Sequence, residues 1–250
     1  MAIARSPAIR IYRRSEARFE ALRETLGRHD FHAVVPPDAL AEWEYVDDRA
    51  VRVLVWRGVV LVEARDGALA EDFDRLHRLA FPSDSAIPDG GAPPEHVSVV
   101  AGSDESGKGE RQRPLAVAAV AMSVEAEGEA IARGVRDSKH CTAAEVMELA
   151  RWIGRNFSHA VRALGAEARS DALRDSGGNE TRLLARLHSD CLRELHGRAP
   201  FSIARVDRFA PSRPVAALFH EAVVDECVRG ERHVACAAAS IVARAATLRA

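Results

Sequence analysis

"GSDESGKGE", residues 102–110, admits two readings with opposite consequences for the fold. Gly102, four residues, then Gly107 and Lys108 nearly spell a phosphate-cradling P-loop. The same stretch puts Asp104 and Glu105 where such a loop would receive its phosphates. A P-loop needs a strand, a Gly-rich turn and a helix whose N-terminus meets the phosphates, with Ser or Thr directly after the lysine to hold magnesium. Here Gly109 takes the place of that hydroxyl residue, and Pro114 and the alternating run "PLAVAAVAM" (114–122) follow. A second strand is expected there instead of a helix. "FSIARVD" (201–207) could still act as the acidic strand of a P-loop, so a P-loop-like nucleotidase stands as a remote alternative.

Working outward, "HVSVVAGSD" (96–104) reads as a buried strand running into the carboxylates. "TAAEVMELARWIGRNF" (142–157) reads as a helix, with Thr142 and Glu145 at capping-box spacing. "NETRLLARLHSDCLRELHG" (179–197) reads as another, capped by Asn179 and ended by Gly197. "FSIARVD" forms a third strand, and "ERHVACAAASIVARAATLRA" (231–250) a final helix rich in small residues. Strands alternating with helices predict an α/β domain over residues 97–250, its sheet covered by helices.

Ahead of it, residues 1–84 read as a small α+β domain. "AIRIYR" (8–13) alternates like a strand, "SEARFEALRETLGRHD" (15–30) reads as a capped helix, and "FHAVV" (31–35) as a strand. "AVRVLVWR" (50–57) and "VVLVEAR" (59–65) bracket Gly58 as antiparallel neighbours, and "GALAEDFDRLHRLAF" (67–81) reads as a helix. The Pro-, Gly-, Ser- and Asp-rich stretch that follows predicts a linker over residues 85–96.

Composition narrows the function classes. With 47% hydrophobic residues in 250, the chain can bury a substantial core. It shows neither a secretory signal nor an apolar run of membrane-spanning length, and a cytoplasmic protein without membrane contact is expected. Four cysteines without paired metal-ligand spacing read as reduced thiols rather than a zinc site. A net charge of −2 offers nucleic acid no long-range attraction, so any binding must come from local patches such as residues 1–28, with seven Arg against three Glu. Of 35 basic residues only Lys108 and Lys139 are lysines, which marks both as places where a compact ammonium fits and a planar fork does not.

Carboxylates at strand ends suit magnesium, which prefers oxygen ligands and binds through a few carboxylates and substrate phosphates. Two such ions roughly 4 Å apart can activate water and stabilise the leaving oxygen of a phosphodiester. Asp207, closing "FSIARVD", is the natural partner of Asp104. Other polar residues have plainer readings. His188, on the apolar side of its helix, reads as a packing or hydrogen-bonded histidine rather than a proton shuttle, and Ser240 as a small residue permitting close helix packing. His233 is open to either reading, and Trp43, Trp56 and Trp152 are equally suited to core and to base stacking.

The order of these pieces carries a resemblance. "GSDESGKGERQRP" resembles the Gly-x-Asp-Glu-x-Gly-x-Gly segment of type 2 ribonucleases H, "VRDSKH" their Asp-Ser-Lys loop, and "NETRLLARLH" their Asn-centred helix with its His. "VDRF" resembles their second Asp strand and "HVACAAASIVAR" their Ala-Ala-Ser-Ile helix. An N-terminal domain ahead of that core is similar to ribonuclease HIII rather than HII. The resemblance implies a ribonuclease H-like catalytic domain behind a TATA-binding-protein-like substrate-binding domain. It implies a monomeric endonuclease, dependent on Mg2+ or Mn2+ and needing no nucleotide cofactor, that cuts the RNA strand of RNA/DNA hybrids to 5'-phosphate and 3'-hydroxyl ends. The competing reading is a catalytically inactive hybrid-binding module.

By the same resemblance Asp104, Glu105 and Asp207 are metal-binding, catalytic carboxylates, with Glu231 as the fourth and Asp225 or Glu226 as alternatives to it. Ser106, Gly107, Lys108 and Gly109 would meet the minor groove and sense 2'-hydroxyls, while Ser138 and Lys139 would meet phosphate. "ERQRP" and His140-Cys141 depart from the family pattern, and the resemblance implies further chain beyond Ala250, as in a domain truncated at its C-terminus.

Overall fold

The computed structural model describes strands at residues 8–13, 31–34, 43–47, 52–56, 59–64 and 95–96, helical residues Arg23, Glu24, Leu26 and Arg28, and residues 98–110 and 112–250. The chain divides into two compact units, one over Pro7–Val97 and one holding Ser98–Ala250.

In the first unit, six strands form one antiparallel sheet: β1 (Ala8–Arg13), β2 (Phe31–Val34), β3 (Trp43–Asp47), β4 (Arg52–Trp56), β5 (Val59–Ala64) and β6 (Glu95–His96), in the order β2-β3-β4-β5-β1-β6. Trp56 of β4 pairs with Val59 of β5, so the two strands run antiparallel to their adjoining ends. Leu26, Phe31 and Val53 are buried in this unit. The expected linker is corrected at its end: Glu95 and His96 pair with Ile11 and Arg10 of β1, because an edge strand accepts a short partner. The helix expected over 67–81 and the side chains of Trp43 and Trp56 lie outside the described residues.

The second unit is a five-stranded mixed sheet flanked by helices. Its strands are β7 (Val99–Ser106), β8 (Leu115–Ser123), β9 (Ser158–Leu164), β10 (Ile203–Asp207) and β11 (Val223–Cys227), ordered β11-β10-β7-β8-β9. β7, β8 and β9 are antiparallel neighbours, and β10 and β11 run parallel to β7. The helices are α1 (Glu127–Arg133), α2 (Ala143–Asn156), α3 (Ala166–Asp175), α4 (Glu180–Arg198) and α5 (Val234–Thr247). β8 is buried from Leu115 through Met122, which requires cover on both faces of the sheet. α5 packs on β7 and β8, and α4 on β8 and β9.

Local chemistry explains most boundaries. Thr142 and Glu145 form the capping box reciprocally, and Asn179 accepts from the backbone N–H of Arg182. Two strands, β9 and β11, go beyond the sequence expectation: "SHAVRAL" mixes charge into its alternation, and "VVDEC" carries two acids in its centre. Both acids of β11 are held internally. Asp225 pairs with the buried Arg205 opposite it on β10, and Glu226 accepts from the backbone N–H of Ala216 at 2.9 Å. α4 runs one residue past Gly197, and α5 starts at Val234 rather than Glu231. A left-handed Arg229 and a single 3-10 turn over Gly230–Arg232 intervene.

The run of small residues in α5 has a steric purpose. A Cβ added at Gly102 would stand 2.1 Å from the backbone of Ala235 and Cys236, so strand and helix meet main chain to main chain. Gly102→Ala should therefore push α5 from the sheet and cost about 1–3 kcal/mol, read as a lowered chemical-denaturation midpoint of the full chain.

Candidate active site

The course of the chain after Gly102 decides the P-loop question. β7 continues through Asp104 and Glu105 to Ser106 and pairs antiparallel with β8, Ser106 opposite Ala116. Gly107–Pro114 is thus a hairpin loop with no helix at its end, and the nucleotidase reading fails on that geometry.

Parallel pairing then brings the acids together. Val206 of β10 lies opposite Ser103 of β7, so Asp207 comes one step further, beside Asp104, with adjacent strands about 4.8 Å apart. Gly230 closes the group from a third segment. Its N–H donates to Asp207 Oδ1 at 2.7 Å, and a Cβ there would be 2.7 Å from Asp207 Cα. Only a residue without a side chain lets the turn come this near, and the turn carries Glu231 close enough for its charge to act on Asp207.

The electrostatics record this crowding. Burial pushes Asp104 well above the ordinary carboxylate range, and the charges of Glu105 and Asp207 push it further. The N–H of Glu105, 2.7 Å from Asp104 Oδ1, and the Ser240 hydroxyl oppose the shift. Asp207 is raised by burial and by Glu105 and Glu231, against the Gly230 N–H and Lys139. Glu105 behaves differently. Burial acts upward on it, yet His188 and Lys108 together bring it below its usual value.

Two residues with plainer readings stand beside these acids, and His188 is the buried, hydrogen-bonded histidine expected. Nδ1 of buried His188 lies 2.7 Å from Ser103 Oγ. Ser103 donates its own hydrogen to Ala118 O, so the Nδ1–H of His188 is the donor to Ser103. That leaves Nε2 3.3 Å from Glu105 Oε2, an ion pair only when the imidazole carries a second proton, and neither buried atom has an aligned hydrogen bond. Phe209, the second residue after Asp207, stacks on the imidazole with ring centroids 5.1 Å apart. Ser240 is buried in α5, as its packing reading expects, and in addition supports Asp104 and shares a 2.7 Å hydrogen bond with Ser138. The signal available for both was a polar residue at a buried helical position.

The remaining expected residues fall around this centre. Ser106 Oγ lies 3.0 Å from Thr247 Oγ1 at the end of α5. Gly107 is part-buried and Lys108 and Gly109 are exposed, but the Lys108 ammonium folds inward, 3.1 Å from Phe209 O and 3.5 Å from Glu105 Oε1. Ser138 and Lys139 lie in a 3-10 turn capped by Asp137, and Arg244 of α5 donates to the carbonyls of Ser138 and Cys141. Asp225 and Glu226 are taken up by Arg205 and Ala216 and do not join the cluster. His233 precedes α5, its N–H bonded to Gly230 O, and Trp152 packs edge-on against Phe157.

Asp104, Glu105, Asp207 and Glu231 offer hard oxygen donors in a place where charge repulsion favours a cation. The donor set fits Mg2+ or Mn2+, and no thiol or imidazole needs to take part. Among the described residues no three acidic, His or Cys side chains close into a cage around one point. Such an open set suits an ion that completes its shell with water and substrate oxygens.

A model of the ribonuclease HII family matches residues 101–250, the stretch from Ala101 through every one of these acids. The chain belongs to the ribonuclease HII family. It is a ribonuclease H, an enzyme of RNA/DNA hybrids. Solved structures share its fold. Bst-RNase HIII in complex with Mn2+ is 24% identical with a TM-score of 0.55, over 96% of this chain and 81% of that one. RNase H3 of Aquifex aeolicus is 19% identical with a TM-score of 0.54, over 96% and 84%. Ribonuclease H2 from Pyrococcus horikoshii OT3 is 23% identical with a TM-score of 0.53, over 60% and 72%. No individually curated protein sequence matches the chain.

Two outcomes follow from this geometry. As pH rises past the ordinary aspartate value of about 3.9, the unfolded chain loses the Asp104 proton while the folded chain keeps it, so Asp104 lowers metal-free stability with rising pH. Asp104→Asn should therefore melt higher than the parent at neutral pH without metal, the difference vanishing towards pH 4. Gly230→Ala should displace the Glu231 turn from Asp207 and lower kcat on a hybrid substrate by about 10²-fold, in a protein whose circular dichroism is unchanged.

Proposed function

We propose that this chain is a ribonuclease HIII-type endonuclease that cuts the RNA strand of RNA/DNA hybrids with Mg2+ or Mn2+, leaving 5'-phosphate and 3'-hydroxyl ends. The observation that carries the reading is the gathering of Asp104, Glu105, Asp207 and Glu231 from three separate segments of a ribonuclease HII-family chain, near enough that Glu105 and Asp207 act on Asp104 and that Glu105 and Glu231 act on Asp207. These four carboxylates hold the metal. Bound there, divalent cations supply activation of water and charge stabilisation at the scissile phosphodiester.

The chain's own residues orient the reaction. His188 steadies Glu105, Ser240 and the Glu105 N–H steady Asp104, and the Gly230 N–H steadies Asp207. Lys139 carries positive charge at the rim, where it meets a phosphate of the bound strand. Ser138 holds that turn to α5 through Ser240. The backbone of Ser106, Gly107, Lys108 and Gly109 lies against the minor groove and senses the 2'-hydroxyl that separates RNA from DNA.

The HIII assignment is supported by the reach of the fold likeness, which extends over 96% of this chain for the two HIII-type proteins and 60% for the ribonuclease H2. The antiparallel sheet of Pro7–Val97 then serves as a TATA-binding-protein-like substrate-binding domain.

A labelled hybrid incubated with the full chain should be cut in Mg2+ or Mn2+ and spared in EDTA. Asp104→Asn should abolish cutting, and Mn2+ should raise the melting temperature of the parent but not of this variant. A folded parent that binds hybrid without cutting it under either metal would be a binding module only.

A further inference from the structure

Arg169 is the sole buried residue of α3, 1% exposed in a helix whose other residues are exposed or half-buried. A buried guanidinium is costly unless its hydrogens are used. Here Nη1 lies 2.9 Å from Gly107 O, 2.8 Å from Glu110 O and 2.9 Å from Arg113 O. Nη2 donates to Glu180 Oε1 at 2.6 Å, in the first turn of α4. All three carbonyls belong to the hairpin loop between β7 and β8, one at its start, one in its middle and one near its end.

Among its described residues the loop's backbone bonds are Glu110 N–H to Gly107 O at 3.4 Å and Arg113 N–H to Glu110 O at 2.8 Å, and both acceptors are also Arg169 acceptors. The side chains of Arg113 and Lys108 add an ion pair to Glu110 and a hold on Phe209 O and Glu105, but neither gathers the loop's own carbonyls. Gly107 is left-handed, with Pro114 O 2.1 Å from where a Cβ would lie, so the loop closes tightly over its own base. Its tip, Lys108 to Glu110, is exposed. One fixed cation beneath thus draws the carbonyls inward and sets which backbone groups the tip presents outward. Lysine could not do this, since a single ammonium on a flexible stem lacks the planar fork that reaches the loop and Glu180 together.

We propose that Arg169 is a positioning residue for RNA-strand selectivity: anchored by Glu180, it sets the conformation in which the Gly107–Gly109 backbone distinguishes RNA from DNA. This rests on the reading of that loop given under the proposed function. Arg169 touches no reacting group, and it acts through the loop alone.

The test compares affinities of the full chain for labelled RNA/DNA and DNA/DNA duplexes of one sequence, by fluorescence anisotropy in EDTA so that nothing is cut. Arg169→Lys should reduce the preference for RNA/DNA roughly tenfold, the scale of one lost hydrogen bond to a charged group, and Glu180→Ala should reduce it in the same direction. Amide exchange at Glu110 and Arg113 should quicken in both variants, while Mn2+ should still raise their melting temperature. A purely structural role would lower stability and leave the preference untouched. If Arg169→Lys does not fold, Glu180→Ala decides alone. Retained preference in a folded variant overturns the proposal and leaves the enzyme reading standing. A parent chain indifferent between the two duplexes overturns the reading of the loop, and the proposal with it.

Discussion

Three carboxylates at one sheet seam, two of them driven above their ordinary ionisation range, are the constraint around which the catalytic unit is arranged. Packing like charges out of water opposes folding, and the opposition is relieved only by groups that favour the ionised form. The surroundings of Asp104, Glu105 and Asp207 supply such groups from every side. Ser240 comes from α5, His188 from α4, a backbone N–H from the Gly230 turn, and ammonium charge from both lysines of the chain. The site is therefore shaped for positive charge before any substrate arrives, at a standing cost to stability.

The split between arginine and lysine takes on a physical meaning at this point. Both lysines act on the carboxylates, Lys108 on Glu105 and Lys139 on Asp207. Two arginines act on the loops that carry those lysines. Arg169 gathers the carbonyls of the Gly107 loop, and Arg244 those of the Ser138 turn. Compact ammonium groups can turn towards an ion or a phosphate, while planar guanidinium groups fix backbone. The same division explains why Arg205 is found deep in the sheet, paired to Asp225, rather than near the reaction.

A seam between parallel strands also accounts for the order of segments. β7 and β10 are joined through β8, β9 and four helices before they lie side by side. Carboxylates far apart along the chain thereby become neighbours, and α5 closes the floor by meeting Gly102 with its backbone. Any loosening of that helix moves Ser240, Arg244 and Thr247 at once, each of which supports a different part of the site.

Much of this was legible in the residues. Alternation in "PLAVAAVAM" ruled out the helix of a P-loop, Thr142 with Glu145 and Asn179 marked helix starts, and the acids at the ends of two apolar strands named the centre. These are local properties, set by the period of each element and by the chemistry of its first turn. What only the tertiary structure decided was partnership. Whether Glu231, Asp225 or Glu226 joins the acids depends on a strand, β11, whose charged centre hides its nature until Arg205 and Ala216 meet it. The roles of His188, Ser240 and Arg169 likewise depend on what lies within 3 Å across 85, 102 or 62 positions of chain. Hydrogen bonds and charges act through space with short range, so a sequence can place a polar residue on a face but cannot say what faces it.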